Sequence, residues 1–178
     1  MSFILIINPR HFTKFRQNFL FFSMQVDYIK DVHGFEDDNI TLLLDDGDHT
    51  KPTKANIAAA YRNLVKTAKD GDVVYLHYSG HGVKLADDDG DEEDGFDECL
   101  VPLDFQTKGI IRDDDLLKIL VKPMAEGVFV TSIMDCCHSG SILDLPYSFK
   151  ADGTQEDMGE EEGFNFDKVD ETPDDEDV

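Results

Sequence analysis

The sequence predicts an α/β fold, a mostly parallel sheet covered by helices on both faces. Three observations lead there. Stretches with strand and helix patterns alternate along the chain. Two apolar runs, Val73 to Tyr78 and Val128 to Met134, read as buried strands. Each run ends in a tight loop of small residues that carries a reactive side chain. The first loop is Ser79-Gly80-His81-Gly82 and the second is Asp135-Cys136-Cys137-His138-Ser139-Gly140. In parallel sheets, ligands bind outside the carboxyl ends of the strands, which is where both loops fall.

Composition sets the outer bounds. A chain of 178 residues is the length of one domain, and 40% hydrophobic content with 13 Phe is enough for a core. A formal net charge of -23 argues against nucleic acid and against anionic membranes, since both need a basic face. It favours basic partners, either cationic peptides or a hard cation such as calcium. The cysteines are Cys99, Cys136 and Cys137. Adjacent cysteines rarely bridge each other because the geometry is strained. A sparse, odd count reads as free thiols in a reducing compartment, hence a cytoplasmic location. No apolar run approaches the ~20 residues of a membrane span.

Residues 1–23 are set apart as an atypical N-terminal segment. Phe3 to Ile7 is apolar and is ended by Pro9-Arg10. Arg10, Lys14 and Arg16 then precede a second apolar cluster, Phe19 to Phe22. The lack of any acidic residue before Asp27 is faintly like a transit peptide. The plainer alternative is a buried strand or hairpin. The main domain is expected over 24–150. Met24 to His33 fits a helix with Met24, Tyr28 and Val32 on one face, stopped by Gly34. Ile40 to Leu44 fits a short strand closed by Asp45-Asp46-Gly47. Thr53 is a good N-cap for a helix to about Lys69, with apolar positions at helical spacing.

After the strand at Val73 comes an acidic stretch, Asp87 to Glu98. It is either a solvated charge run or a place where a cation relieves mutual repulsion. It fails the EF-hand template, so a calcium site here must be assembled across loops. Leu100 to Leu103 fits a strand stopped near Pro102, and Ile110-Ile111 is a short apolar patch. Asp113 or its neighbours can cap a helix through Leu116, Leu117, Ile119 and Leu120 that ends before Pro123. The segment 151–178 is acidic, apart from Phe164 and Phe166, and is expected to be a disordered tail.

The chemistry lies in Cys137 and His81. A free thiol has a pKa near ~8.5, and a neighbouring imidazole lowers it by several units. His81 can then protonate a leaving amine. Gly80 and Gly82 leave the backbone open, so the amides near Gly82 and of Cys137 form a candidate oxyanion site. The plain alternatives are a buried, inert cysteine and a histidine satisfied by ordinary hydrogen bonds. Zinc at Cys136, Cys137 and His138 is disfavoured, because adjacent residues do not easily share one tetrahedral site. His77 falls inside its strand and reads as structural.

Several stretches carry a family resemblance. Tyr78-Ser79-Gly80-His81-Gly82 and Asp135-Cys136-Cys137-His138-Ser139-Gly140 closely resemble the two signatures of metacaspases. Asp94-Gly95-Phe96-Asp97-Glu98 with Pro102-Leu103-Asp104, and His33-Gly34-Phe35 ahead of a strand, are also similar. The likeness runs from about Met24 to Phe149. It implies a caspase-like three-layer α/β/α sandwich around a mostly parallel sheet. It also implies a cysteine endopeptidase that cleaves after Arg or Lys, with His81 as base and Cys137 as nucleophile. Cys136 would be a bystander or a redox partner. Ser79 and Asp135 match positions that help form the basic-residue pocket. A carboxylate facing a guanidinium there is worth about 1.5–3 kcal/mol; the alternative for Asp135 is a loop cap. The family's calcium site matches Asp97, Asp113, Asp114 and Asp144. Oxygen-only ligation suits Ca2+, whose role would be to order the loops.

Two departures from the family pattern stand out. Residues 1–22 lack the usual Gly-Cys-x-Asn-Asp-like segment of the pocket, for which Asp27 and Asp31 are the candidate substitutes. The smaller C-terminal subunit is also absent, which leaves a sheet edge needing a cover or a small-subunit partner. Three functional readings follow: a calcium-dependent, Arg/Lys-specific peptidase acting on basic peptides or proteins; a weak or inactive module of the same family that binds calcium or a regulator; and an acidic interaction protein with incidental motifs.

Overall fold

The computed structural model describes residues 2–7, 15–86, 95–143, 145–149 and 159–160. In chain order the elements are strand β1 (Ser2–Ile7), helix α1 (Phe15–His33), strand β2 (Ile40–Leu44), helix α2 (Lys54–Thr67), strands β3 (Val73–Ser79), β4 (Gly82–Ala86) and β5 (Phe96–Leu100), the short helix α3 (Phe105–Lys108), strand β6 (Ile111–Arg112), helix α4 (Asp113–Leu116), and strands β7 (Phe129–Asp135), β8 (Tyr147–Ser148) and β9 (Gly159–Glu160).

The central sheet has the order β2-β1-β3-β7, and all its pairings are parallel. Side chains alternate across a strand, and the two faces sort accordingly. On β3, Val74, Leu76 and Tyr78 pack with Ile57, Tyr61 and Leu64 of α2 and with Leu116 of α4. Val73 and Tyr75 point the other way, into a cluster with Ile29 of α1, Phe35 and Leu44. One face therefore carries α2 and α4 and the opposite face carries α1, which makes three layers. A second, antiparallel sheet, β4-β5-β6, follows directly from the carboxyl end of β3.

Several expectations shift against the structure. β1 lies between β2 and β3, so the apolar run in the N-terminal segment is an inner strand of the sheet, in line with the strand alternative and not with a transit-like segment standing apart from the domain. α1 begins at Phe15, not Met24. Its Met24, Tyr28 and Val32 are 63%, 55% and 61% exposed, while Ile29 on the opposite side is buried. That stripe is the outer face of the helix. The strand expected over 100–103 runs instead over Phe96–Leu100, so the end of the acidic stretch is not a solvated loop. The reason is the pairing of β5 with both β4 and β6, which covers Asp97 and Glu98. The helix expected from Asp113 is one α-turn continued by a π-helical stretch, Leu117–Val121. Most of the acidic stretch (87–94) and most of the tail lie outside the described residues. Among those residues, no helix is long and apolar enough to cross a membrane.

Candidate active site

Register alone brings the two reactive loops together. β3 and β7 run parallel with Ser79 opposite Asp135. His81 and Cys137 each lie two residues beyond that pair, at adjacent strand ends. The loops are joined by Gly80 N–H donating to the Asp135 carbonyl at 3.3 Å. The Ser79 hydroxyl donates to Asp135 Oδ2 at 3.2 Å, so the two candidate pocket residues form one polar pair. At Gly82 the approach is closest. A Cβ there would overlap the Cys137 carbonyl oxygen and stand 3.3 Å from Cys136 Sγ. Only glycine lets the two backbones meet in this way.

The His81 loop is clamped from below. The His81 carbonyl accepts from Val101 N–H at 3.1 Å and from the buried Tyr78 hydroxyl at 3.0 Å. Tyr78 Oη also lies 3.2 Å from the Val101 carbonyl. Burial pushes the Tyr78 phenol well above its ordinary pKa, so it stays protonated and can donate. On the other loop, His138 has a φ of 53°, a left-handed conformation that non-glycine residues seldom adopt. The chain thus reverses directly after Cys137 and leaves that thiol exposed, whereas Cys136 is half-buried and Cys99 is buried. Burial, with the Asp135 charge adding to it, pushes the Cys136 thiol up to about 11. Of the two adjacent cysteines, exposure favours Cys137 as the nucleophile and protonation disfavours Cys136. His77 is buried in β3 between Leu5 and Ile133, and burial lowers its pKa, which favours the neutral ring.

A second cluster lies beneath the cysteine loop. Asp97, Glu98 and Asp113 are all buried. Asp113 Oδ2 accepts from Glu98 N–H at 2.7 Å, and Asp113 Oδ1 accepts from Asp114 N–H at 3.0 Å. Burial pushes the Asp113 carboxyl up to about 7, against the pull of those two amides. Asp97 pairs with the Arg112 guanidinium. Glu98 pairs with Lys84 across the β4–β5 ladder at 3.0 Å and accepts from the Ser141 hydroxyl at 2.7 Å. Asp97, Asp113 and Asp114 are therefore brought to neighbouring strand and helix ends, and Asp144 lies outside the described residues. Among the described residues, no three His, Cys, Asp or Glu side chains are grouped as a ready-made metal site. Sequence reading missed Glu98 and Ser141. The available signal was the apolar Cys99-Leu100 directly after Glu98, which marks a strand.

A thiol and an imidazole at neighbouring carboxyl ends of a parallel sheet, with helices on both faces, define a caspase-like α/β protein. Residues 22–146 match the metacaspase, peptidase C14 domain family, and the chain belongs to that family. It is 57% identical over 145 residues to Metacaspase III c of Phaeodactylum tricornutum, covering 81% of this chain and 43% of that protein. It is 45% identical to Metacaspase-1 of Saccharomyces cerevisiae and 48% identical to Metacaspase-1A of Aspergillus oryzae, in each case covering 71% of this chain and 30% of the relative. The chain thus spans less than half the length of these curated relatives. Among solved structures it resembles a Geobacter sulfurreducens protein with a TM-score of 0.53 at 25% identity, covering 81% of this chain and 53% of that one.

Proposed function

We propose that this chain is the catalytic portion of a calcium-dependent cysteine endopeptidase that cleaves after Arg or Lys through a Cys137–His81 dyad. One observation carries the reading: the Ser79–Asp135 register sets His81 and Cys137 on facing loops, with Gly82 against the Cys137 backbone. The His81 imidazole takes the thiol proton, the Cys137 thiolate attacks the scissile carbonyl, and His81 returns the proton to the leaving amine. Water then hydrolyses the thioester. The backbone amides at Gly82 and Cys137 are the donors for the oxyanion. Asp135, aligned by Ser79, supplies the carboxylate that pairs with a substrate guanidinium or ammonium, which fits basic peptide and protein substrates.

The acidic cluster fits calcium by donor chemistry: its carboxylates offer only oxygen, and burial of Asp113, held by two backbone amides, makes a counter-charge valuable there. Asp97, Asp113, Asp114 and Asp144 would hold the ion, whose contribution is to order the surrounding loops. A small-subunit partner is part of the same reading. β7 is the last strand of the sheet among the described residues, and its Phe129, Val130 and Ile133 are exposed. An unpaired edge with exposed apolar side chains is a place where another strand adds.

The deciding experiment is hydrolysis of Arg- and Lys-ended fluorogenic peptides, with and without calcium, beside Cys137→Ala. Calcium-dependent turnover that disappears in Cys137→Ala is expected. No turnover from the parent chain would leave the second reading, a weak or inactive module of the family that binds calcium or a regulator. Turnover that survives the substitution would remove Cys137 from the nucleophile's role. Calcium affinity by calorimetry should fall at least ~10-fold in Asp113→Ala with Asp114→Ala.

A further inference from the structure

We propose that Glu98 is a positioning residue, the anchor that fastens the Cys137 loop to β5. The loop leaves β7 at Asp135, turns through His138 and returns to the body of the protein at Ser141 and Ile142. Ile142 enters the core. The polar anchor is Ser141, whose hydroxyl donates to Glu98 Oε2 at 2.7 Å, a short bond to a charged acceptor. Glu98 is itself held on two further sides. Lys84 Nζ lies 3.0 Å from its other carboxylate oxygen, and its backbone N–H donates to Asp113 at 2.7 Å. A buried carboxylate with these partners has little freedom, so what it holds is held in place.

The same strand also reaches the other loop, since Val101, directly after β5, donates its N–H to the His81 carbonyl. β5 is thus the common support of the base and the nucleophile. If calcium binds at Asp97 and Asp113, which rests on the reading above, its ligands would be the residue before Glu98 and the residue that accepts from the Glu98 backbone N–H. The anchor itself stands without the ion. A purely structural role for Glu98 would stabilise the β4–β5 sheet and leave the loop's motion unchanged.

Amide hydrogen exchange on the full chain separates these roles, and it needs no turnover. In Ser141→Ala and in Glu98→Leu, which removes the acceptor, exchange over 136–141 should accelerate about tenfold or more, while exchange in β3 stays at the parent rate. Ser141→Thr keeps the hydroxyl and should stay within about threefold of the parent. Unchanged loop exchange in Ser141→Ala or in Glu98→Leu overturns the proposal, as does a Ser141→Thr protein that behaves like Ser141→Ala. A parent chain that lacks turnover counts against the peptidase reading alone, because loop exchange reports on the anchor independently.

Discussion

Gly82 carries a constraint that no hydrogen bond expresses. Its missing side chain is the space that the Cys137 carbonyl fills. Gly82→Ala must push one loop away from the other, and a displacement of about 1 Å between reacting groups costs on the order of 10²-fold in rate. The expected outcome is a folded protein, judged by circular dichroism, with kcat/KM reduced by about that factor. Activity near the parent level would show that the loops tolerate separation. The thiols give a second prediction. Burial, reinforced by the Asp113 charge, pushes buried Cys99 up to about 12, so it remains a neutral thiol in the folded chain. Unfolded, it ionises near ~8.5. A pKa raised by folding means that stability is intact below the unfolded value and is lost as pH rises towards the folded one. Denaturant titrations should therefore show stability falling from about pH 9 upwards, and Cys99→Ala should flatten part of that fall.

Among the elements, α2 shows its sequence logic most openly. The Thr53 hydroxyl accepts from Asn56 N–H at 3.3 Å and so caps the helix where the sequence places a cap. Thr53→Ala should cost about 1 kcal/mol, lowering Tm by roughly 2–4 °C in a calorimetric scan. α1 is the counter-example. Its apolar positions fall on both sides, and helical periodicity cannot say which side meets the sheet. Ile29 meets it, through Phe35 and Leu44. β5 was visible only at its Leu100 end, because acidic residues are expected in water. Its ladders with β4 and β6 enclose Asp97 and Glu98 beside Arg112, Lys84 and Ser141, and those partners are what make burial tolerable.

Taken as a whole molecule, the chain carries a charge of -23, and this field acts on any basic substrate. For an Arg-ended peptide, kcat/KM should fall several-fold between about 0.05 and 0.5 M salt, with most of the change in KM, because the Debye length shortens to a few ångströms. A salt-independent KM would confine substrate attraction to local contacts such as the one proposed for Asp135.

The sequence by itself determined the alternation that makes an α/β fold, the strands at Ile40–Leu44 and Val73–Ser79, the cap at Thr53, and the two loops that carry His81 and Cys137. These features are local: periodicity, capping and turn chemistry are written within a few residues of where they act. Tertiary structure alone decided the rest. It chose the register that sets Ser79 opposite Asp135, the inner place of β1, the outward side of α1 and the burial of Glu98 beneath Ser141. Each of these joins segments far apart in the chain. Which distant groups meet is fixed by packing and strand pairing, and nothing within a short window of sequence encodes it.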